Sequence, residues 1–220
     1  MSFRQVAKCL ITNKDDSAFH LVISNGSLLD FHHENGAIVN AANEGCLGGG
    51  GVDGAISAAG GNQLRSDRSA LPVLKNYQGD KVRCPTGDAK ITGGPINQYG
   101  SIGTSYVIHA VGPAYFCYDD IQEPDELLRS AYQQSMERAR EAKLEAVAFS
   151  LLSAGVYRGS RSRKDVLKIG VESLCEFEGY PELSEVHLFA FSEVELNSLL
   201  QIIKELGLMM MPRLEGMESK

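Results

Sequence analysis

Apolar and polar residues alternate along the first part of the chain, as in a strand with one buried face. Val6 and Leu10 flank the polar Lys8, and His20 is followed two positions later by Val22. The pattern predicts two antiparallel strands and a polar turn between them: residues 3–12 and 18–24 for the strands and 13–16 for the turn.

From residue 37 onward, short apolar runs rich in β-branched residues alternate with longer segments of helical period. In the clearest helix, Leu128, Ala131 and Tyr132 fall on one face, and Pro124 suits the first helical position. The predicted strands are residues 37–41, 105–111, 145–152 and 186–191. The predicted helices are residues 123–143, 164–178 and 193–206. This alternation implies an α/β fold with a largely parallel sheet covered on both faces, which the N-terminal hairpin makes mixed.

The most informative stretch, AIVNAANEGCLGGGGVDGAISAAGG, starts with one of these predicted strands. Two amides, Asn40 and Asn43, stand at the strand end, and four consecutive glycines follow at residues 48–51. Asp53 then opens an Ala-rich helix that we expect to be short and to close at the glycines 60–61.

The chemistry of this stretch is that of a phosphate cradle. Glycines let backbone N–H groups approach an anion, and the following helix N-terminus adds partial positive charge. Amide side chains can bind sugar hydroxyls, and a carboxylate can orient or activate a water. The combination points to a phosphorylated ribose compound. A P-loop is excluded because no Lys follows the glycines. A dinucleotide-binding fingerprint is excluded because the glycines are contiguous and Asp53 falls too early in the sequence. The alternative is a flexible glycine-rich turn.

A second candidate loop follows the strand predicted at residues 145–152. It reads Ser153-Ala154-Gly155-Val156-Tyr157, and it offers further N–H groups to a diphosphate and an aromatic ring to cover a ribose. Ligands in such folds bind outside the carboxyl ends of the strands, so both loops could face one crevice. Four basic residues lie just beyond this loop: Arg158, Arg161, Arg163 and Lys164. We interpret them as the exposed start of a helix; the alternative is that they attract phosphates.

Composition narrows the function further. The length of 220 residues fits one domain, and the net charge of −7 argues against general nucleic-acid binding. Five cysteines are scattered without a CxxC pair, so neither a disulfide framework nor a zinc site is expected. No apolar run is long enough to span a membrane and no signal peptide is apparent, which predicts an intracellular protein, cytoplasmic or nuclear.

N-A-A-N followed by L-G-G-G-G-V-D-G-A-I resembles the signature of the macrodomain family, in particular its MacroD-type branch of ADP-ribose hydrolases. Three further segments match the family: C-P-T-G-D-A-K-I-T at residues 84–92, V-I-H-A-V-G-P at 107–113 and the loop S-A-G-V-Y. The resemblance covers roughly residues 20–205 and implies a three-layer α/β/α fold. We expect a single domain over residues 1–208 and a flexible tail over 209–220.

The resemblance also implies roles for individual residues. Asn43 would bind the distal ribose, and Asp53 would position or deprotonate a water; these two are the predicted catalytic residues. The predicted ligand-binding residues are Ser27, Leu28, Ile38, Asn40, Ala42, Gly49, Gly50, Gly51, Val52, Ser153, Ala154, Gly155, Val156 and Tyr157. The family usually has Gly-Asp-Ile where this chain has Gly26-Ser27-Leu28, so either Ser27 or Asp30 would contact adenine.

The resulting hypothesis is a metal-independent hydrolase, without a cofactor, that removes mono-ADP-ribose from Asp or Glu side chains of modified proteins. O-acetyl-ADP-ribose is an alternative substrate. The rival functions are a non-catalytic ADP-ribose reader and an ADP-ribose-phosphate phosphatase. The expected partners are ADP-ribose and mono-ADP-ribosylated proteins, bound by a monomer.

Two other features have open interpretations. His109 lies inside a predicted buried strand, where a hydrogen-bonded core residue is more common than a catalytic one. Tyr115, Phe116 and Tyr118 follow that strand, and they could wall a ligand cleft or cover the core.

Overall fold

The computed structural model describes residues 3–12, 17–77 and 80–211; the turn predicted at residues 13–16 lies outside them. The strands are β1 (Arg4–Thr12), β2 (Ala18–Asn25), β3 (His32–Ala41), β4 (Lys75–Tyr77), β5 (Asp80–Val82), β6 (Ala89–Gly93), β7 (Gly103–Ala110), β8 (Ala146–Phe149) and β9 (Glu185–Ala190). The helices are α1 (Gly51–Ala70), α2 (Gln122–Glu141), α3 (Arg163–Cys175) and α4 (Glu193–Glu205). Three short 3-10 turns add Leu28–Asp30, Tyr115–Cys117 and Val156–Arg158.

Seven strands form one mixed sheet in the order β1-β2-β9-β8-β3-β7-β6. The five central strands are parallel, and β1 and β6 pair antiparallel at the two edges. The predicted N-terminal hairpin and the mixed, largely parallel sheet are confirmed. Because the central strands are parallel, their carboxyl ends all lie at one edge of the sheet.

Helices cover both faces of the sheet. The larger core packs α2, α3 and α4 against one face through residues such as Leu128, Leu167 and Leu199. The smaller core packs α1 against the other face through Ile56 and Leu64. Alternate strand residues serve the two cores, which gives the expected three layers.

The helix expected to close at Gly60 and Gly61 breaks at Gly61, and a second helical segment follows it to Ala70. Gly61 has φ 63° and ψ −152°, so the chain breaks there as predicted, but it resumes a helical course at an angle. The resumption is stabilised because the second half buries Leu64 and Arg68, which the polar sequence of this segment does not suggest.

Two strand boundaries also differ from the pattern. β3 begins at His32, because polar residues before the apolar run extend along β7 from the pair His32 and Gly103. β8 ends at Phe149, before the apolar run does. The chain leaves the sheet at Ser150, whose N–H and hydroxyl both donate to the Val39 carbonyl, at 3.1 and 2.8 Å.

Beyond α4 the chain returns to the edge strand β1. Met210 forms an antiparallel bridge with Cys9, and the Met211 N–H donates to the Lys8 carbonyl at 2.8 Å. Residues 212–220 lie outside the described residues, so the flexible tail at 209–220 stays a prediction.

Candidate functional site

The two predicted ligand loops meet at the carboxyl edge of the sheet. One follows β3 and the other follows β8, its parallel neighbour. The segment after β7 contacts the second loop: the Ser153 hydroxyl donates to the Pro113 carbonyl at 2.8 Å, and the rings of Phe116 and Tyr157 pack edge to face with centroids 6.2 Å apart. The structure therefore places both loops at one edge of the sheet, and it places Phe116 beside the second loop.

The glycine loop is shaped as an anion cradle. Asn43 braces it, because its Nδ2 donates to the Gly48 carbonyl at 2.9 Å. Gly50 is the N-cap of α1, and within the described part of the chain no side chain caps the first turn of this helix. Gly49, Gly50 and Gly51 are exposed. Uncapped N–H groups at the positive end of a helix are suited to a phosphate.

Neighbouring glycines of this loop should respond differently to alanine. Gly51 has φ +60°, a left-handed conformation, whereas Gly50 has φ −95°, and a Cβ at either position would meet no atom within 4 Å. We expect Gly51→Ala to lower the free energy of unfolding by about 1–2 kcal/mol and the matched control Gly50→Ala to leave it equal or raise it by up to about 1 kcal/mol. Urea denaturation of both variants measures this; equal destabilisation would contradict it.

Asp53 lies behind the cradle, in the first turn of α1, and is only 2% exposed. Its Oδ1 accepts from Asn40 Nδ2 at 2.8 Å and lies 2.9 Å from Nη2 of Arg68. Its Oδ2 is buried and has no hydrogen-bond partner among the described residues. A Cβ on Gly49 would lie 3.0 Å from this Oδ2 and 3.4 Å from Asn43 Nδ2. The free carboxylate oxygen and the Asn43 amide therefore face the same glycine of the cradle.

Arg68 is the residue of this site that the sequence analysis missed. It is 1% exposed, and its guanidinium donates through Nε to the Cys46 carbonyl and through Nη1 to Ser57 Oγ at 2.9 Å. Nη2 forms an ion pair with Asp53 Oδ1 at 2.9 Å but has no hydrogen-bond partner among the described residues. In sequence it stands in a polar run, QLRSDRSA, that gives no sign of burial. It lies four residues after the buried Leu64, on the buried face of α1.

Asn40 and His109 form a buried polar chain behind Asp53. The second proton of Asn40 Nδ2 faces His109 Nδ1 at 3.4 Å, and His109 Nε2 lies 3.0 Å from Thr92 Oγ1. Thr92 in turn donates to the Val107 carbonyl at 3.4 Å. These contacts fit a neutral imidazole with its proton on Nε2. His109 is thus a hydrogen-bonded core residue, as the sequence favoured, while Oδ1 of Asn40 is buried without a partner among the described residues.

The stability of the fold should depend on His109 at acid pH. Burial, with a smaller contribution from the charge of Arg68, lowers the pKa of His109 to about 3. An unfolded His titrates near 6.5, so between these values the unfolded chain binds a proton that the folded chain does not. The contribution of His109 to the free energy of unfolding is therefore complete above pH 6.5 and decreases as the pH falls toward 3. At pH 4.5 the free energy of unfolding should be about 2–3 kcal/mol lower. Urea denaturation at pH 7 and 4.5 measures this loss, and His109→Gln should lack it. Parallel pH dependences for the two proteins would refute the assignment.

The second loop presents main chain more than side chains. Ser153 has φ +55°, and its hydroxyl is used by Pro113. The N–H of Ala154 donates to Leu151, whereas the N–H groups of Gly155 and Val156 find no partner in the part of the chain that the structure describes. Tyr157 is half exposed beside Phe116. The loop can therefore supply two amides and an aromatic wall.

The segment after β2 lies at the same edge, beyond β9. The Gly26 N–H donates to the Ala190 carbonyl at 3.0 Å, which places Ser27 beside Phe191 at the end of β9. Ser27 Oγ accepts from the Leu29 N–H at 3.2 Å and caps the 3-10 turn. Phe191 is 82% exposed. The sequence analysis did not single out this ring, although an aromatic residue directly after a buried strand was a usable signal.

Other predicted ligand residues support the loops from behind. Leu28 and Ile38 are buried in the smaller core, and Val52 packs against it. Ala42 is buried with Cys46, Cys84 and Val111 under the glycine loop. A hydrogen bond from the Cys84 thiol lowers the pKa of Cys46, against the effect of burial. Contacts of Leu28, Ile38, Ala42 and Val52 with a ligand stay a prediction.

The basic residues after Tyr157 are engaged elsewhere. Arg161 pairs with Asp125 at 2.7 Å and with Asp165 at 3.3 Å, and Lys164 pairs with Glu205. Arg161 also lines a cavity of about 500 Å³ between α2 and α3, which holds none of the predicted ligand residues. These ion pairs favour the interpretation of the cluster as a helix start, but its basic residues are partly buried rather than exposed.

Within residues 3–12, 17–77 and 80–211, no group of three or more His, Cys, Asp or Glu side chains could hold a metal ion. None of the helices found there is both long and apolar enough to cross a membrane.

Comparison with known proteins connects this site to a family. The family model of the Macro domain matches residues 39–167. A macro domain-containing protein from Cupriavidus necator is 40% identical over 179 residues, or 80% of this chain and 93% of that protein. O-acetyl-ADP-ribose deacetylase 1 from Pantoea vagans is 35% identical over 167 residues, or 76% of this chain and 90% of that protein. The solved structure of a macrodomain from Oceanobacillus iheyensis with ADP superposes with a TM-score of 0.74 at 26% identity, covering 94% of this chain and 98% of that one.

Proposed function

This chain belongs to the macrodomain family, and from that premise we propose that it binds ADP-ribose and hydrolyses mono-ADP-ribose from Asp- or Glu-modified proteins. The observation that carries the proposal is the free Oδ2 of Asp53, which faces Gly49 and Asn43 beside an uncapped helix N-terminus. Asn40 Oδ1 and Arg68 Nη2 are also buried without a partner among the described residues, and Asp53 Oδ2 is the carboxylate oxygen of this set that faces the glycine loop. Buried polar atoms normally have a partner.

Each part of the ligand has a matching part of the site. The diphosphate would bind between the start of α1 and the free amides of Gly155 and Val156. The distal ribose would then lie near Asn43, with Tyr157 and Phe116 as its wall. Adenine would lie against Phe191, with Ser27 or Asp30 contacting its edge. The structure of the Oceanobacillus relative with ADP supports a ligand that contains adenosine diphosphate.

The chemistry needs one carboxylate from the protein. Asp53 Oδ2 would accept a hydrogen bond from a water and direct it at the anomeric carbon or at the ester linkage. Ordinary glycosidases use two carboxylates, of which one protonates the leaving group. When ADP-ribose is attached to Asp or Glu, the leaving group is itself a carboxylate and departs without much acid help. A phosphate oxygen of the substrate can share the role of base.

A second substrate has a specific observation in its favour. The Pantoea relative is named as an O-acetyl-ADP-ribose deacetylase, and that compound is likewise an ester on the distal ribose. The same pocket and the same water would serve both reactions.

Two measurements on the wild-type protein test the proposal. Calorimetric titration with ADP-ribose tests binding, and AMP serves as the comparison that lacks the second phosphate and distal ribose. Release of ADP-ribose from a protein modified on Asp or Glu tests hydrolysis, with O-acetyl-ADP-ribose assayed in parallel. Binding without release from either substrate would leave a reader module, and no binding would remove both functions.

A further inference from the structure

The guanidinium of Arg68 joins the two functional parts of the site. Through Nε it holds the carbonyl of Cys46, a residue of the glycine loop with φ +54°. Through Nη2 it holds Oδ1 of Asp53 at 2.9 Å. Through Nη1 it is tied to Ser57, one turn further along α1. A single buried side chain thus fixes the loop that would hold the ligand and the carboxylate that would direct the water.

We propose that Arg68 is the positioning residue of the reaction, which rests on the hydrolase function proposed above. Oδ1 of Asp53 is occupied from two directions, by Arg68 and by Asn40 Nδ2. Two partners on one oxygen fix the plane of the carboxylate and turn Oδ2 toward Gly49. Without Arg68, the carboxylate would keep one hydrogen bond and could rotate about it.

A purely structural role accounts poorly for this arrangement. Packed apolar side chains often stabilise a protein as well as a buried ion pair does, because both charges lose their hydration. The pair also leaves Oδ2 of Asp53 and Nη2 of Arg68 buried without a hydrogen-bond partner among the described residues, although a hydrogen bond between these two atoms would have satisfied both. The geometry instead turns Oδ2 toward Gly49 of the glycine loop.

The test compares kcat with affinity in Arg68→Met and Arg68→Lys. A misplaced catalytic group can cost on the order of 10²-fold in rate, which is the loss of kcat expected for Arg68→Met. Lys can reach Asp53 but cannot also hold Cys46 and Ser57, so a smaller loss is expected. Because Arg68 also holds the Cys46 carbonyl, the Kd for ADP-ribose should rise in both variants, but by a smaller factor than kcat falls. Arg65→Met, on the exposed side of the same helix, is the matched control and should behave as wild type.

A double-mutant cycle separates positioning from general support of the fold. Residues that act as a unit are strongly non-additive, so Arg68→Lys should cost little more once Asp53→Asn is present. Single-turnover assays at high enzyme concentration keep the residual rates measurable. An equal loss in both backgrounds would show that Arg68 acts independently of Asp53 and would overturn the inference.

The remaining outcomes are also decisive. If Arg68→Met does not fold, the cycle with Arg68→Lys still gives the answer. Wild-type kcat in both Arg68 variants would overturn the inference and leave the hydrolase standing. If the wild-type protein releases no ADP-ribose, the proposed function itself fails, and the role of Arg68 fails with it.

Discussion

Asp53→Asn is expected to slow the release of ADP-ribose by about 10²- to 10⁴-fold, the range over which positioned acids and bases contribute to rates. The amide oxygen of Asn can still accept from Asn40 and Arg68, so the site should keep its shape. The amide nitrogen would replace Oδ2 and could no longer accept from the water. The Kd for ADP-ribose should therefore change little. Parallel measurements of kcat and of calorimetric Kd check both statements.

Asp53→Ala is the comparison variant for Asp53→Asn. A loss of activity in Asp53→Ala alone would not assign Asp53 a role in the chemistry, because this variant also loses stability. Both variants would leave Arg68 buried without a counter-charge, and breaking a buried pair in this way costs about 3–5 kcal/mol. Asp53→Ala also removes the oxygen that accepts from Asn40, so urea denaturation should find a larger loss in the Ala variant than in the Asn variant. A fully active Asp53→Asn protein would exclude Asp53 from the chemistry, even if the Ala variant were inactive.

Gly50→Glu is expected to abolish ADP-ribose binding while the protein stays folded. Gly50 is exposed, its φ of −95° suits any residue, and a Cβ there meets no atom within 4 Å. The new carboxylate would stand at the helix N-terminus, where the diphosphate would bind. Placing like charges together costs several kcal/mol, which corresponds to a loss of affinity of about 10²-fold or more.

Gly50→Gln is the matched control, because Gln has the same length and no charge. It should weaken ADP-ribose binding far less than Glu does, and both variants should unfold at wild-type urea concentrations. Equal losses for Glu and Gln would mean that bulk, rather than charge, blocks the site. Wild-type affinity in Gly50→Glu would place the diphosphate elsewhere.

The parts of the fold that follow from local periodicity could be predicted. The apolar run ending at Asn40 and the one containing His109 became neighbouring parallel strands, and their carboxyl ends brought the glycine loop to one edge of the sheet. The residue types of the loop also predicted its chemistry, because consecutive glycines before a helix have few other uses.

The contacts that position the Asp53 carboxylate could not be predicted from local periodicity or residue type. Arg68 continues the buried face of α1 at helical spacing after Gly60 and Leu64, but an arginine in a polar run is not expected to be buried. Asn40 was assigned to the ligand because of its place in the motif, yet its Nδ2 holds Asp53. Such pairings join residues 13 and 15 positions apart, and they depend on tertiary packing rather than on propensity.

The return of the chain to β1 has a consequence for how molecules of this protein behave toward one another. An edge strand exposes a row of unpaired backbone groups, and these can accept a strand from a second molecule. Here Met210 and Met211 occupy part of that row, beside Cys9 and Lys8. The same chain thus shields its own sheet edge from intermolecular strand addition, the first step of many aggregation processes.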